Sequence, residues 1–135
     1  MAYKIEKIEG VGPSYAAKLA DVGVVRTGQL LEKAATRKGR KDLASASGIT
    51  ETLILKWANM CDLMRIKGVG EEYSELLEAA GVDTVKELSK RRADNLHKAM
   101  AEANSKRKMV RQLPSEGQVE DWVKQAKALP PVMKY

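Results

Sequence analysis

Ile8-Glu9-Gly10-Val11-Gly12-Pro13-Ser14-Tyr15 returns 58 residues later as Ile66-Lys67-Gly68-Val69-Gly70-Glu71-Glu72-Tyr73. The register then holds without a gap: Leu19 pairs with Leu77, Gly23 with Gly81, Val24 with Val82 and Leu30 with Leu88. After about seven inserted residues, Thr50-Glu51 and Trp57 find counterparts in Ser115-Glu116 and Trp122. Self-similarity at a fixed period marks a duplicated structural unit. The boundaries that follow are 1–65 for the first unit, 66–129 for the second and 130–135 for a tail.

Outward from each Gly-Val-Gly the punctuation is helical. Pro13 suits the first turn of a helix, where its missing N–H is not needed, and Gly23 ends that helix. Tyr15, Ala16, Leu19, Ala20 and Val22 give it an apolar face. Thr27 is predicted to cap a helix through Ala35, and the polar run Thr36 to Lys41 to form a loop or frayed turn. A short helix around Leu43 then stops at Gly48. Thr50 caps a helix whose Leu53, Ile54, Trp57, Met60, Cys61 and Met64 recur three or four residues apart. The second copy follows suit. Glu71 to Ala80 is helical, Thr84 caps a helix to about Arg91, and a longer helix runs from Asp94 to about Arg111. A Ser115/Gln118 capping box opens a helix through Ala128. Pro130 and Pro131 end the order, leaving Val132 to Tyr135 as a loose tail.

The composition agrees with an all-α fold: the 135 residues include no Phe, and Ala, Leu, Lys and Glu are plentiful. A single cysteine excludes an internal disulfide. No segment approaches the roughly 20 apolar residues of a membrane helix, so a soluble, cytoplasmic protein without membrane contact is expected. The net charge is +6. Residues 1–67 hold twelve basic and seven acidic side chains, a balance of +5, against twelve and eleven, or +1, in residues 68–135.

In Ile8-Glu9-Gly10-Val11-Gly12-Pro13-Ser14-Tyr15-Ala16-Ala17-Lys18-Leu19 the chain resembles the helix-hairpin-helix family. Over nearly its full length it also resembles a bacterial family of tandem helix-hairpin-helix proteins known only as a domain of unknown function. Leu63 to Gly70 and Trp122 to Pro131 contribute to that likeness. The resemblance implies two tandem five-helix, SAM-like units packed as one body, Ser47-Gly48-Ile49 being a degenerate second hairpin of the first. It further implies sequence-independent contact with duplex DNA through backbone N–H groups, sometimes with a carbonyl-bound monovalent cation. No other cofactor is expected.

The physical chemistry of the turn points the same way. Glycine lets the backbone bend with positive φ and approach another molecule closely, while the N–H groups opening the next helix attract an anion. The second hairpin continues into Glu71, Glu72, Glu75 and Glu78, which repel phosphate, so the first hairpin is the expected contact. The candidate nucleic-acid-binding residues are therefore Gly10, Val11, Gly12, Ser14 and Lys18, with Arg37, Lys38, Arg40 and Lys41 supplying charge to the sugar-phosphate backbone. Lys106, Arg107, Lys108 and Arg111 form a second basic cluster late in a helix. The partner is duplex DNA or structured nucleic acid. The alternative is a protein-interaction or scaffold module, or self-association, suggested by the acidic second hairpin and near-neutral second half.

Tyr15, Tyr73, Trp57 and Trp122 read as core. Cys61 falls on an apolar stripe and reads as an inert thiol, and His97 has no second ligand of its kind nearby, which argues against zinc. With no phosphate-cradling Gly-x-x-x-x-Gly-Lys loop, paired-carboxylate metal motif or Ser/His/Asp set, the sequence reads as non-catalytic.

Overall fold

The computed structural model describes residues 3–135 and is all-α. Among these residues there are eight α-helices and no strand, only a single bridge between Lys4 and Arg26. A 3-10 turn at Ile5–Lys7 leads into α1 (Pro13–Asp21), α2 (Thr27–Lys33), α3 (Arg37–Ser47) and α4 (Glu51–Leu63). The second half holds α5 (Glu71–Ala79), α6 (Val85–Ser89), α7 (Ala93–Lys106) and α8 (Glu116–Ala128).

Local chemistry explains most of these ends. Pro13 opens α1. The hydroxyls of Thr36, Thr50, Thr84 and Ser115 accept the N–H groups of Gly39, Leu53, Glu87 and Gln118, satisfying donors with no partner inside their helices. Gln118 returns the favour by accepting the Ser115 N–H, the reciprocal box read from the sequence.

Four expectations need correction. Arg37 to Lys41 is not a loop but the start of α3, because Thr36 caps it. Thr27 does not cap α2; it lies inside the first turn, and its buried hydroxyl accepts the Tyr3 N–H. The cap is made by Gln29, whose side-chain carbonyl accepts the N–H groups of Val25 and Arg26. α7 stops at Lys106, short of Arg111, since Asn104 Oδ1 captures the N–H groups of Met109 and Val110 and turns the chain.

The fourth correction concerns the tail, which is docked. Met133 is 8% exposed and joins the first half's core. The Lys134 N–H donates to the Ala35 carbonyl (2.8 Å), and the Tyr135 hydroxyl donates to Asn59 Oδ1 (2.7 Å). Arg40 completes the clamp. At 6% exposure it donates to the carbonyls of Ala34, Ala35 and Lys134, and its guanidinium lies 5.6 Å from the Tyr135 ring centre. Buried charge is costly unless hydrogen-bonded, and these three carbonyls and the ring face meet that demand.

Two apolar cores result. One gathers residues from Ile5 to Met64 with Met133; the other runs from Leu63 to Ala126. The duplicated turns are built alike. Gly10 and Gly68 have φ of +91° and +96°, and a Cβ on either would meet an indole Nε1, that of Trp57 at 3.5 Å and that of Trp122 at 3.0 Å. Val11 and Val69 are buried beside them. Tyr15 packs on Trp57 at 5.1 Å between ring centres, and Tyr73 on Trp122 at 5.2 Å. The far ends of α1 and α5 match as well: Lys33 Nζ donates to the Val22 carbonyl and Arg91 to that of Gly81, each at 3.0 Å.

α4 joins the halves by packing against α5. At its end the buried Asp62 accepts the Val85 N–H opening α6 and the Arg65 guanidinium, which also donates to the Pro130 carbonyl.

Two stability tests follow from this packing. Gly68→Ala forces a side chain into left-handed backbone against Trp122 and is expected to cost about 1–2 kcal/mol. Gly12→Ala, with φ of −83° and no atom within 4 Å of the new Cβ, is expected to stay within ~0.5 kcal/mol. Urea unfolding reads both. The same measurement on Met133→Ala is expected to give a loss of about 2 kcal/mol, the scale of a buried methionine truncation; a loose tail gives none.

Candidate nucleic-acid interface

The first corner is open. Gly10, Gly12, Ser14 and Lys18 are exposed, while Val11 turns its side chain inward. Gly12 caps α1 with backbone alone, its carbonyl accepting the Ala16 N–H (2.9 Å) and no side chain covering the helix start. The N–H groups of Gly12, Ser14 and Tyr15 thus take no partner among the described residues and add the positive end of the α1 dipole. Ser14 and Lys18 are four residues apart, one turn along the same face, and Lys18 Nζ rests 5.7 Å from the Tyr15 ring centre.

The basic patch is elsewhere. Lys33, which caps the C-terminal end of α1, lies with Val22 in a cleft whose other wall is Gly39, Asp42, Leu43 and Ala46 of α3. The first turns of α3 therefore neighbour the end of α1 remote from the corner, roughly 13 Å along a nine-residue helix. Arg37, Lys38 and Lys41 are exposed there. Arg40 is withdrawn from the set because its guanidinium is committed to the docked tail. Of the nine sequence-derived residues, the structure gathers Gly10, Val11, Gly12, Ser14 and Lys18 at one place and Arg37, Lys38 and Lys41 at another.

The corner has acidic company. Glu9 shares a cavity of about 250 Å³ with Glu71, Glu72 and Glu75 of α5 and with Arg107, Lys108 and Met109. The two duplicated corners are neighbours, a fact that no local pattern in the chain announces. Burial, and then the charges of Glu9 and Glu78, push the Glu75 carboxyl above the usual glutamate range, with Arg107 and Lys56 pulling the other way. Arg107 approaches it at 3.6 Å.

The remaining reactive side chains are engaged in packing. Cys61 is buried, and desolvation with the adjacent Asp62 charge drives its thiol far above the ordinary value. His97 Nε2 donates to the Pro114 carbonyl at 2.9 Å. Among the described residues no group of three or more His, Cys, Asp or Glu is arranged to hold a metal ion, and no helix is long and apolar enough to cross a membrane.

Fold and surface together define an all-helical protein of two like halves, each turned on a glycine corner. A family model described as Domain of unknown function (DUF4332) matches residues 9–129, and the chain belongs to that family. No curated protein and no solved structure matches it.

A raised carboxyl pKa means that folding favours the protonated form. The stability Glu75 contributes is full below the unfolded value near 4.5 and is lost as pH rises through the higher folded value. Glu75→Gln is therefore expected to raise Tm at pH 7 by ~1–2 °C, a small effect because solvent screens the part-exposed group. The gain disappears near pH 4; thermal melts at the two pH values check it.

Proposed function

We propose that the protein binds the nucleic-acid backbone without catalysis and without sequence preference, through the first of two tandem helix-hairpin-helix units. The observation that carries this reading is the open corner at Gly10–Ser14. Free amides at a helix N-terminus, no Cβ in the approach, a serine hydroxyl and one lysine a turn away form a phosphate-sized set of donors. Val11 serves by holding the turn from beneath. Arg37, Lys38 and Lys41 lie too far away to share that phosphate, and they act as a second basic anchor farther along the strand. A carbonyl-bound monovalent cation suits the corner chemically, since the Glu9, Gly10 and Val11 carbonyls accept no hydrogen bond among the described residues.

A second reading, a protein-interaction or scaffold module, is favoured by the carboxylates of Glu9, Glu71, Glu72 and Glu75 around the neighbouring corner. They repel a phosphate backbone and suit a cationic protein surface instead.

The test is a fluorescence anisotropy titration of a short labelled duplex. Three phosphate contacts correspond to a fall in affinity of roughly 40-fold between about 50 and about 200 mM salt. Gly12→Glu places a carboxylate at the amides in space that is empty, and it is expected to abolish binding while leaving the circular dichroism melt unchanged. Absence of binding at low salt, or unaltered binding by Gly12→Glu, contradicts the proposal. A stable protein complex formed without nucleic acid favours the second reading.

A further inference from the structure

The first half of the molecule holds a peptide guest of its own. Residues 132–135 lie between the α2–α3 junction, Ala34 to Thr36, and the outer face of α4. The Lys134 N–H reaches the Ala35 carbonyl, Tyr135 reaches Asn59, and Asp62 lines the same cleft.

The second half repeats the helical walls of that groove. α8 has thirteen residues behind a Ser115 cap, as α4 has thirteen behind Thr50. The α6–α7 junction, Lys90 to Arg92, spans three residues like its counterpart. The offset of the matched tryptophans, 65 residues, sets Lys124 where Asn59 stands and Lys127 where Asp62 stands. The 58-residue register that pairs Arg91 with Lys33 sets Ala93 and Asp94 where Ala35 and Thr36 stand. This second groove has no tail in it. It is an open cleft of about 480 Å³ with Ala93 and Val123 among the residues lining it.

We infer that the second groove docks an extended acidic segment of a partner protein, in the manner of the chain's own tail. Charge selects the occupant. Two positions that are neutral or acidic beside the first guest, Asn59 and Asp62, are cationic here, and Lys124 and Lys127 form no ion pair among the described residues. Arg91 and Arg92 are already tied to Glu87 and Asp94, which leaves the two lysines of α8 to meet incoming carboxylates. Glu116 and Glu120 lie on the earlier turns of α8 and fix the polarity, with the acidic part of the guest at the Lys124 and Lys127 end. The inference stands apart from the Gly10–Ser14 corner and does not depend on it.

The probe is a fluorescein-labelled, amidated peptide of residues 130–135 carrying Lys134→Glu, titrated into the full chain by anisotropy beside the unsubstituted peptide. Reversing a charge next to two lysines is expected to favour the acidic peptide by about tenfold. The exposed pair Lys124→Glu and Lys127→Glu, introduced together, is expected to remove that preference with the melting curve unchanged. Equal affinity for the two peptides overturns the inference, as does a preference that survives the double substitution. A duplex that loses affinity on the double substitution while the peptide does not overturns it in favour of nucleic acid.

Discussion

The edge of an indole beneath a glycine sets the geometry of this protein. At Gly10 and again at Gly68 the backbone takes a positive φ and lies over a tryptophan Nε1, so closely at Gly68 that a methyl group has no room without a shift. The following valine is then driven into the core, and the next residues begin a helix with their amides outward. The tyrosine one turn on packs against the same indole. One contact thus fixes the bend, the entry angle of the helix and the direction of its free donors. Because the tryptophan comes from the last helix of each half, the corner contact ties the start of that half to its end.

The duplicated plan has been given different charges in its two halves. The first corner presents Ser14 and Lys18; the second opens on Glu71 and Glu72. Proximity then complicates the contrast, for Glu9 brings the first corner to the edge of the second one's carboxylates and adds to the upward push on the Glu75 carboxyl. The grooves diverge in the opposite sense: the first, with Asn59 and Asp62, is filled by a lysine-bearing tail, and the second carries Lys124 and Lys127. Each half keeps the backbone scaffold and changes the surface, since surface chemistry varies independently of the fold.

What was legible in the sequence was local or repeated. Pro13, Thr50, Thr84 and the Ser115/Gln118 pair act within one turn of their own positions, so the helices they start stood out at once. The repeat register itself marks the tryptophans as core. The misreadings have a common physical cause. Arg40 looked like part of a solvated basic run, but its partner is the carbonyl of Lys134, 94 residues away. The tail looked loose because two prolines precede it, yet Met133 fills a core built from the other end of the chain. Glu9 gave no sign that it faces α5. Thr27 resembled a cap because hydroxyls usually cap, whereas its acceptor serves Tyr3 from the preceding segment. Contacts between distant segments leave no spacing to read.

The account turns on the first corner offering its amides to solvent while Val11 is locked beneath. Residue-resolved amide hydrogen exchange measures this directly in the native protein. The expected result is exchange near the unprotected rate at Gly12, Ser14 and Tyr15, beside strong protection at Val11, whose N–H donates to Ile8, and at Val24, whose N–H donates to Leu19. Protection of the three α1 amides equal to that of Val24 contradicts it, because the donors are then already taken.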